Sequence, residues 1–275
     1  MQLLGAEEAQ ERQEFYDEHG IGWVARPRHN AKGEHGSKPF IRPGKFKKAS
    51  NMNYALRISC RVEELLEQQP RAEDWSQLEE NALYKGVMEA VMAEHEGEAW
   101  ADGNIRIGDY ILLVDSDTRV PNDCLHEAVS EMEQSQEVAI LQYSSGVMNV
   151  TNNFFEKGIT FFTNMIYTMI RFAVAGGDVA PFVGHNAILR WEAVQKIAYE
   201  ITEANGKTYD KFWSEETVSE DFDMSLRLQS VGYIIRLAAY KGDGFKEGVS
   251  LTVYDELARW EKYNLPAPAI FSKKY

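Results

Sequence analysis

Four carboxylates in two short stretches are the residues of this sequence best suited to chemistry. Asp115 and Asp117 stand one residue apart after the apolar run Ile111-Leu-Leu-Val114, and Glu220 and Asp221 are neighbours in Thr217-Val-Ser-Glu-Asp-Phe-Asp. Two carboxylates on a tight turn can reach one hard cation, because Mg²⁺ and Mn²⁺ take oxygen ligands and keep positions open for substrate phosphates. The bland alternative is that Asp115 caps the turn and Asp117 is solvated. In the second stretch Thr217 and Glu220 have capping-box spacing, which sets Glu220 and Asp221 in the first turn of a helix. There they either complement the helix dipole, worth about 0.3–1 kcal/mol each, or aim a general base at a reacting group. Local sequence alone favours the dipole.

A third feature is electrostatic. Residues 26–48 carry eight Lys or Arg and a single acid, Glu34, among several Pro and Gly. This reads as a long basic loop, either solvated or in contact with phosphate. It runs into Lys48-Ala-Ser-Asn-Met-Asn, which opens a helix that Ser50 or Asn51 can cap, and a helix start beside Lys47 and Lys48 suits an anion.

The elements that position these groups follow from pattern. Residues 111–114 read as a strand buried on both faces, as in the middle of a parallel sheet, with Asp115 and Asp117 at its carboxyl end, where α/β proteins place ligands. Strands are also predicted at 21–25, 138–142, 180–189 and 233–239. Helices are predicted at 6–18, from 48 through about 69, at 75–96, 121–135 and 154–174, from 217 onward, and at 251–263. The alternation predicts βαβ units and an α/β fold. The helix at 154–174 is rich in Phe, Ile and Met; its amphipathic pattern is expected to be covered by a core, with a membrane surface or partner as the alternative. His185, in Gly184-His-Asn186, reads as a satisfied structural residue without a catalytic role.

Composition bounds the rest. The 275 residues hold 43 acidic and 29 basic side chains, a formal charge of −14, which excludes general nucleic-acid binding and leaves a divalent cation as the natural help for an anionic substrate. Two cysteines, Cys60 and Cys124, make no disulfide framework, so a reducing compartment is expected. No signal peptide and no uninterrupted apolar run of membrane-spanning length is visible, so the chain as given is expected to be soluble.

Taken in order, Lys48-Ala-Ser-Asn-Met-Asn, Asp115-Ser-Asp117, Phe182-Val-Gly-His-Asn-Ala-Ile-Leu-Arg190, Ser219-Glu-Asp221 with Gly232-Tyr, and Arg259-Trp260 resemble the family 2 glycosyltransferases near the cellulose, chitin and hyaluronan synthases, and most of all filamentous-fungal members. The resemblance spans roughly residues 21–260. It implies a GT-A fold, α/β with a mixed, mostly parallel central sheet flanked by helices, and an inverting transfer from a UDP-sugar to a glycan or other hydroxyl acceptor in cell-wall or surface polysaccharide synthesis. On residues, it implies that Asp115 and Asp117 hold Mn²⁺ or Mg²⁺ and through it the diphosphate. Asp221 would be the base, with Glu220 its companion, and Lys48 a nucleotide or diphosphate contact. Arg259 and Trp260 would end the Q-x-x-R-W motif beside acceptor and diphosphate.

Three positions depart from the family pattern. Glu256 stands for the Gln of that motif, which bears on processive synthesis. Ser219 stands for the usual Thr of T-E-D, and residues 1–20 show no strand ending in the aspartate that grips the uridine. The expectation is a single catalytic domain over residues 1–275, truncated at both ends, bounded by the basic loop at 26–48 and the helix at 251–263. It would come from a membrane enzyme of the plasma membrane or Golgi with its catalytic domain facing the cytosol. Two other readings remain: a haloacid-dehalogenase-like phosphatase, with Asp115 as nucleophile of hhhhDxDxT, or a degenerate transferase domain acting as an interaction module.

Overall fold

The structure, a computed structural model, describes residues 5–33, 39–42, 48–95, 98–177, 179–202, 206, 208–217, 219–242 and 244–263. In chain order the elements are α1 (Ala6–Glu18), β1 (Trp23–Ala25), α2 (Lys48–Glu67), α3 (Gln77–Glu94), β2 (Trp100–Asp102), β3 (Tyr110–Leu113), α4 (Cys124–Gln134), β4 (Val138–Tyr143), β5 (Ser145–Val147) and α5 (Phe154–Ala173). They continue with β6 (Ala187–Arg190), α6 (Trp191–Lys196), β7 (Tyr199–Thr202), β8 (Thr208–Lys211), α7 (Glu220–Ser230), β9 (Ile234–Ala238), β10 (Phe245–Glu247) and α8 (Val253–Tyr263). The chain divides into two compact units: residues 1–107 with 200–211, and residues 108–199 with 212–275. Residues after 263 lie outside the described residues, as do parts of the basic loop.

In the first unit α2 and α3 pack through Ile58, Val62 and Leu66, spaced four residues apart, against Val87, Met88 and Val91. That spacing is one face of a helix. α3 begins with a capping box, Ser76 accepting from the Glu79 N–H while Glu79 accepts from the Ser76 N–H at 2.8 Å. Neither Ser50 nor Asn51 caps α2, which already starts at Lys48. Ser50 is buried and accepts from the Arg26 guanidinium. Arg42 likewise donates to the chain itself, to the carbonyls of Pro27 and Arg26 at 2.6 and 3.0 Å. These two cations of the basic stretch are therefore engaged with the fold.

The second unit is built on a four-stranded sheet ordered β3-β6-β4-β9. β3 and β4 are each antiparallel to β6, and β4 is parallel to β9. Three of the four strands thus run the same way. The opposed β6 lies between β3 and β4, so the predicted βαβ partners are parallel without touching, and two of the three pairings are antiparallel. β4 is buried at every residue, and α4 packs on it through Cys124, Ala128 and Met132. β3 is half-buried and borders the sheet among the described residues. That corrects its reading as a doubly covered central strand. Arg190, at the end of β6, donates to the carbonyls of Val138, Met132 and Ser135 and to Gln136, tying the C-terminal end of α4 to the start of β4.

α5 corrects another expectation. Asn153 caps it, accepting from the Glu156 N–H, and Glu156 is itself buried and accepts from the N–H groups of Val150, Thr151 and Asn152. Only Glu156 and Tyr167 of the helix are buried. Phe154, Phe161 and Phe172 are 94%, 71% and 79% exposed, so no core covers this face within the described residues. Residues 154–176 form the one described helix long and apolar enough to cross a membrane by length and composition.

Candidate functional site

β3 delivers the chain into a tight turn in which the Asp115 carbonyl accepts from the Thr118 N–H at 3.1 Å. Beyond the turn Arg119 and Lys246 exchange backbone hydrogen bonds at 2.8 and 3.1 Å, which stitches its exit to β10. Two residues after Lys246 comes Gly248. The Asp117 Oδ2 stands 2.5 Å from the point a β-carbon on Gly248 would occupy, so this carboxylate rests on bare backbone. Asp115 and Asp117 remain open to solvent.

The loop Val183-Gly-His-Asn186 approaches the same turn. Gly184 and Asn186 hold positive φ, +81° and +51°, the left-handed region that Gly and Asn tolerate best. Gln142 clamps this loop: its side-chain oxygen accepts from the Val183 N–H at 3.0 Å, and its amide nitrogen lies 3.0 and 3.1 Å from the carbonyls of His185 and Asn186. The two bends aim His185 between carboxylates. Its Nε2 is 2.8 Å from Glu247 Oε2, and its Nδ1 is 3.1 Å from the Val183 carbonyl and 3.9 Å from Asp115 Oδ2. The Tyr167 hydroxyl of α5 donates to the same Glu247 oxygen at 3.1 Å. Burial, then the Glu247 charge, push the Tyr167 phenol well above its ordinary pKa, and nearby Arg259 opposes this, so the hydroxyl stays a donor.

α7 brings the second carboxylate pair. Ser219 is its N-cap residue, so Glu220 is the first helical position and the expected Thr217–Glu220 capping box does not form. Thr217 Oγ1 is buried without a partner among the described residues. Asp221 accepts from the Phe222 N–H at 2.9 Å, and its Oδ2 lies 3.2 Å from the β-carbon point of Gly184. Asp223, the third acid of this turn, is taken up by Arg227 at 2.8 Å. In α8, Trp260 is half-exposed and its indole N–H donates to Glu256 at 2.8 Å. Arg259, on the same helix, acts on Tyr167.

The loop 183–186 therefore meets Asp115 through His185 and Asp221 through Gly184. Glu220 sits beside Asp221 on α7. Lys48 opens α2 in the first unit. The sequence reading set His185 aside as structural and did not single out Glu247 or Gly248. The available signal was the Gly and Asn flanking His185, residue types that permit the two bends.

Asp115 and Asp117 offer hard oxygen donors at an open turn, a set that fits Mg²⁺ or Mn²⁺ completed by oxygens of a ligand and water. Among the described residues no three His, Cys, Asp or Glu side chains form a metal-binding group.

Comparison with curated proteins returns no match. Residues 110–267, more than half of the chain, match the sequence model of glycosyl transferase family group 2. The matched segment contains the D-x-D turn, the 183–186 loop, the start of α7 and Arg259-Trp260. With its mixed α/β architecture of the GT-A type, the chain belongs to glycosyl transferase family group 2.

Proposed function

We propose that this chain transfers a sugar from a UDP-sugar to a hydroxyl acceptor with inversion. Asp115 and Asp117 hold a divalent cation, and Asp221 is the general base. Asp221 takes the proton of the acceptor hydroxyl. The freed oxygen forms the bond to the anomeric carbon as the bond to the diphosphate breaks, and UDP leaves with that electron pair. The cation, when bound, offsets the charge gathering on the leaving diphosphate. Glu220 supports Asp221 at the helix start, where the N-terminal dipole favours its ionised form. Arg259 and Trp260 serve the acceptor and the diphosphate. Polysaccharide synthesis at a cell surface is the corresponding role, with the exposed face of α5 compatible with work beside a membrane.

The observation that carries this reading is the shared loop 183–186, against which both the D-x-D turn and Asp221 lie. A cation site and a base serving one displacement need such proximity. The phosphatase reading leaves Ser219-Glu-Asp221 and Arg259-Trp260 without a task.

The test is calorimetric titration of UDP into the protein with Mn²⁺, for the natural chain and for Asp117→Ala. Binding that requires both the metal and Asp117, followed by transfer that Asp221→Asn lowers by about 10²–10⁴-fold, is the expected result. A folded protein that ignores UDP and forms an aspartyl-phosphate mimic with beryllofluoride would replace this reading with the phosphatase. Retained binding without transfer from any donor would leave an interaction module.

A further inference from the structure

Glu247 is a carboxylate buried behind two others. It is 9% exposed, and its Oε2 takes both the Tyr167 hydroxyl at 3.1 Å and His185 Nε2 at 2.8 Å. An acid buried close to Asp115 and Asp117, in a chain already at −14, is unfavourable unless its hydrogen bonds are satisfied and something gains from its position. What it orients is visible at the other ring nitrogen: His185 Nδ1 is 3.1 Å from the Val183 carbonyl, which fixes the ring, and 3.9 Å from Asp115 Oδ2, a charge contact and not a hydrogen bond. The next residue along the chain, Gly248, bears on Asp117. Two consecutive residues at the end of β10 thus reach both carboxylates of the D-x-D turn, one through a histidine and one through bare backbone.

We infer that Glu247 is a positioning residue for the cation site, fixing His185 so that its ring holds the Asp115 carboxylate in the orientation the cation needs. The inference rests on the proposed transferase reading. Glu247 touches no substrate; it acts through His185, as outer partners of metal ligands do. Tyr167 is a second donor to Glu247 and does not reach the turn, so it serves as the internal control. A single oxygen of Glu247 accepts both bonds. Glutamine, with its carbonyl oxygen turned to that side, therefore retains them, whereas alanine removes both.

The experiment measures Mn²⁺-dependent UDP binding by calorimetry on the full chain, for the natural protein, E247A, E247Q, H185A, the E247A/H185A pair and Y167F. The expected pattern is a loss of about 10–100-fold in E247A and H185A, no further loss in the pair, and binding within a few-fold of natural in E247Q and Y167F. Equal binding by natural protein and a folded E247A overturns the inference and leaves the transferase reading intact. Should E247A not fold, H185A decides by the same criterion: unchanged binding overturns the inference. If Y167F falls as far as E247A, Glu247 acts as packing for α5 and the inference fails. Absence of Mn²⁺-dependent UDP binding in the natural protein overturns both.

Discussion

The Asp117 carboxylate occupies the space a side chain on Gly248 would fill, with Oδ2 only 2.5 Å from that β-carbon position. No real β-carbon tolerates such a contact, and the colliding atom is the free end of a side chain. Gly248→Ala is therefore expected to fold normally while turning Asp117 away from the turn's open side. We expect Tm to change little and Mn²⁺-dependent UDP binding to weaken by about 10–100-fold, as when a partner of a metal ligand is removed. Thermal melts beside calorimetry check this. An unchanged affinity would mean that Asp117 finds an equivalent rotamer and that glycine is not required there.

Gly184 bears on Asp221 differently, because two costs combine. Its φ of +81° lies in the left-handed region, where a side chain costs about 1–2 kcal/mol. Its β-carbon point is also 3.2 Å from Asp221 Oδ2 and 3.4 Å from Asp221 Cβ, so the base is pushed at two atoms. Gly184→Ala should lower stability by about 1–2 kcal/mol and displace Asp221. Transfer should fall at least tenfold through kcat, with UDP affinity nearly kept, since the added β-carbon bears on Asp221, whereas the loop meets the D-x-D turn through His185. Urea unfolding and steady-state kinetics separate the two effects. A parallel fall in UDP affinity would show that the loop carries Asp115 with it.

How much of this could be read from residues alone depended on whether the signal was local. The apolar run of β4, the capping pattern of α3 and the acids opening α7 are local, and pattern finds them or their neighbourhood. β5 and β10 are three residues each and exist because Phe245 meets Ser145 across a hundred positions, so neither announces itself. β3 shows the same limit. Its apolar run states that it is a strand but not how many neighbours it has, and the insertion of β6 beside it is a property of topology. For α5 the periodicity identified an apolar face correctly, yet which faces are covered is decided by what else packs there. Asp115, Asp117 and Asp221 are visible because a spacing or a helix start marks them. Glu247, at the end of a three-residue strand that no pattern marks and paired with a histidine from a distant loop, carries no such mark. Arg190 is similar, since three of its acceptors are the main-chain carbonyls of Met132, Ser135 and Val138, which no side-chain pattern encodes.

A pH dependence is expected in the first unit. Arg71 grips Glu80 with two hydrogen bonds, Nε at 2.8 Å and Nη2 at 3.0 Å, and the Trp75 indole adds a third at 3.0 Å. The Arg71 bonds chiefly, opposed by burial and helped by Trp75, lower the Glu80 carboxyl from 4.5 to about 2. In the unfolded chain the same carboxyl titrates near its ordinary value, so between those pH values the unfolded chain takes up a proton that the folded one refuses. The stability from this pair is therefore complete above about pH 4.5 and disappears as pH falls toward 2. Arg71→Ala should lower Tm at pH 6 by on the order of a degree or two, because exposed pairs are well screened. The gap from the natural protein should narrow through pH 4, close near pH 2, and shrink in 1 M salt at pH 6. Other carboxylates titrate over the same range, so the difference between the two proteins is the quantity to follow. A gap that stays constant with pH would assign the contribution of Arg71 to its bonds with the Leu66 and Gln69 carbonyls instead.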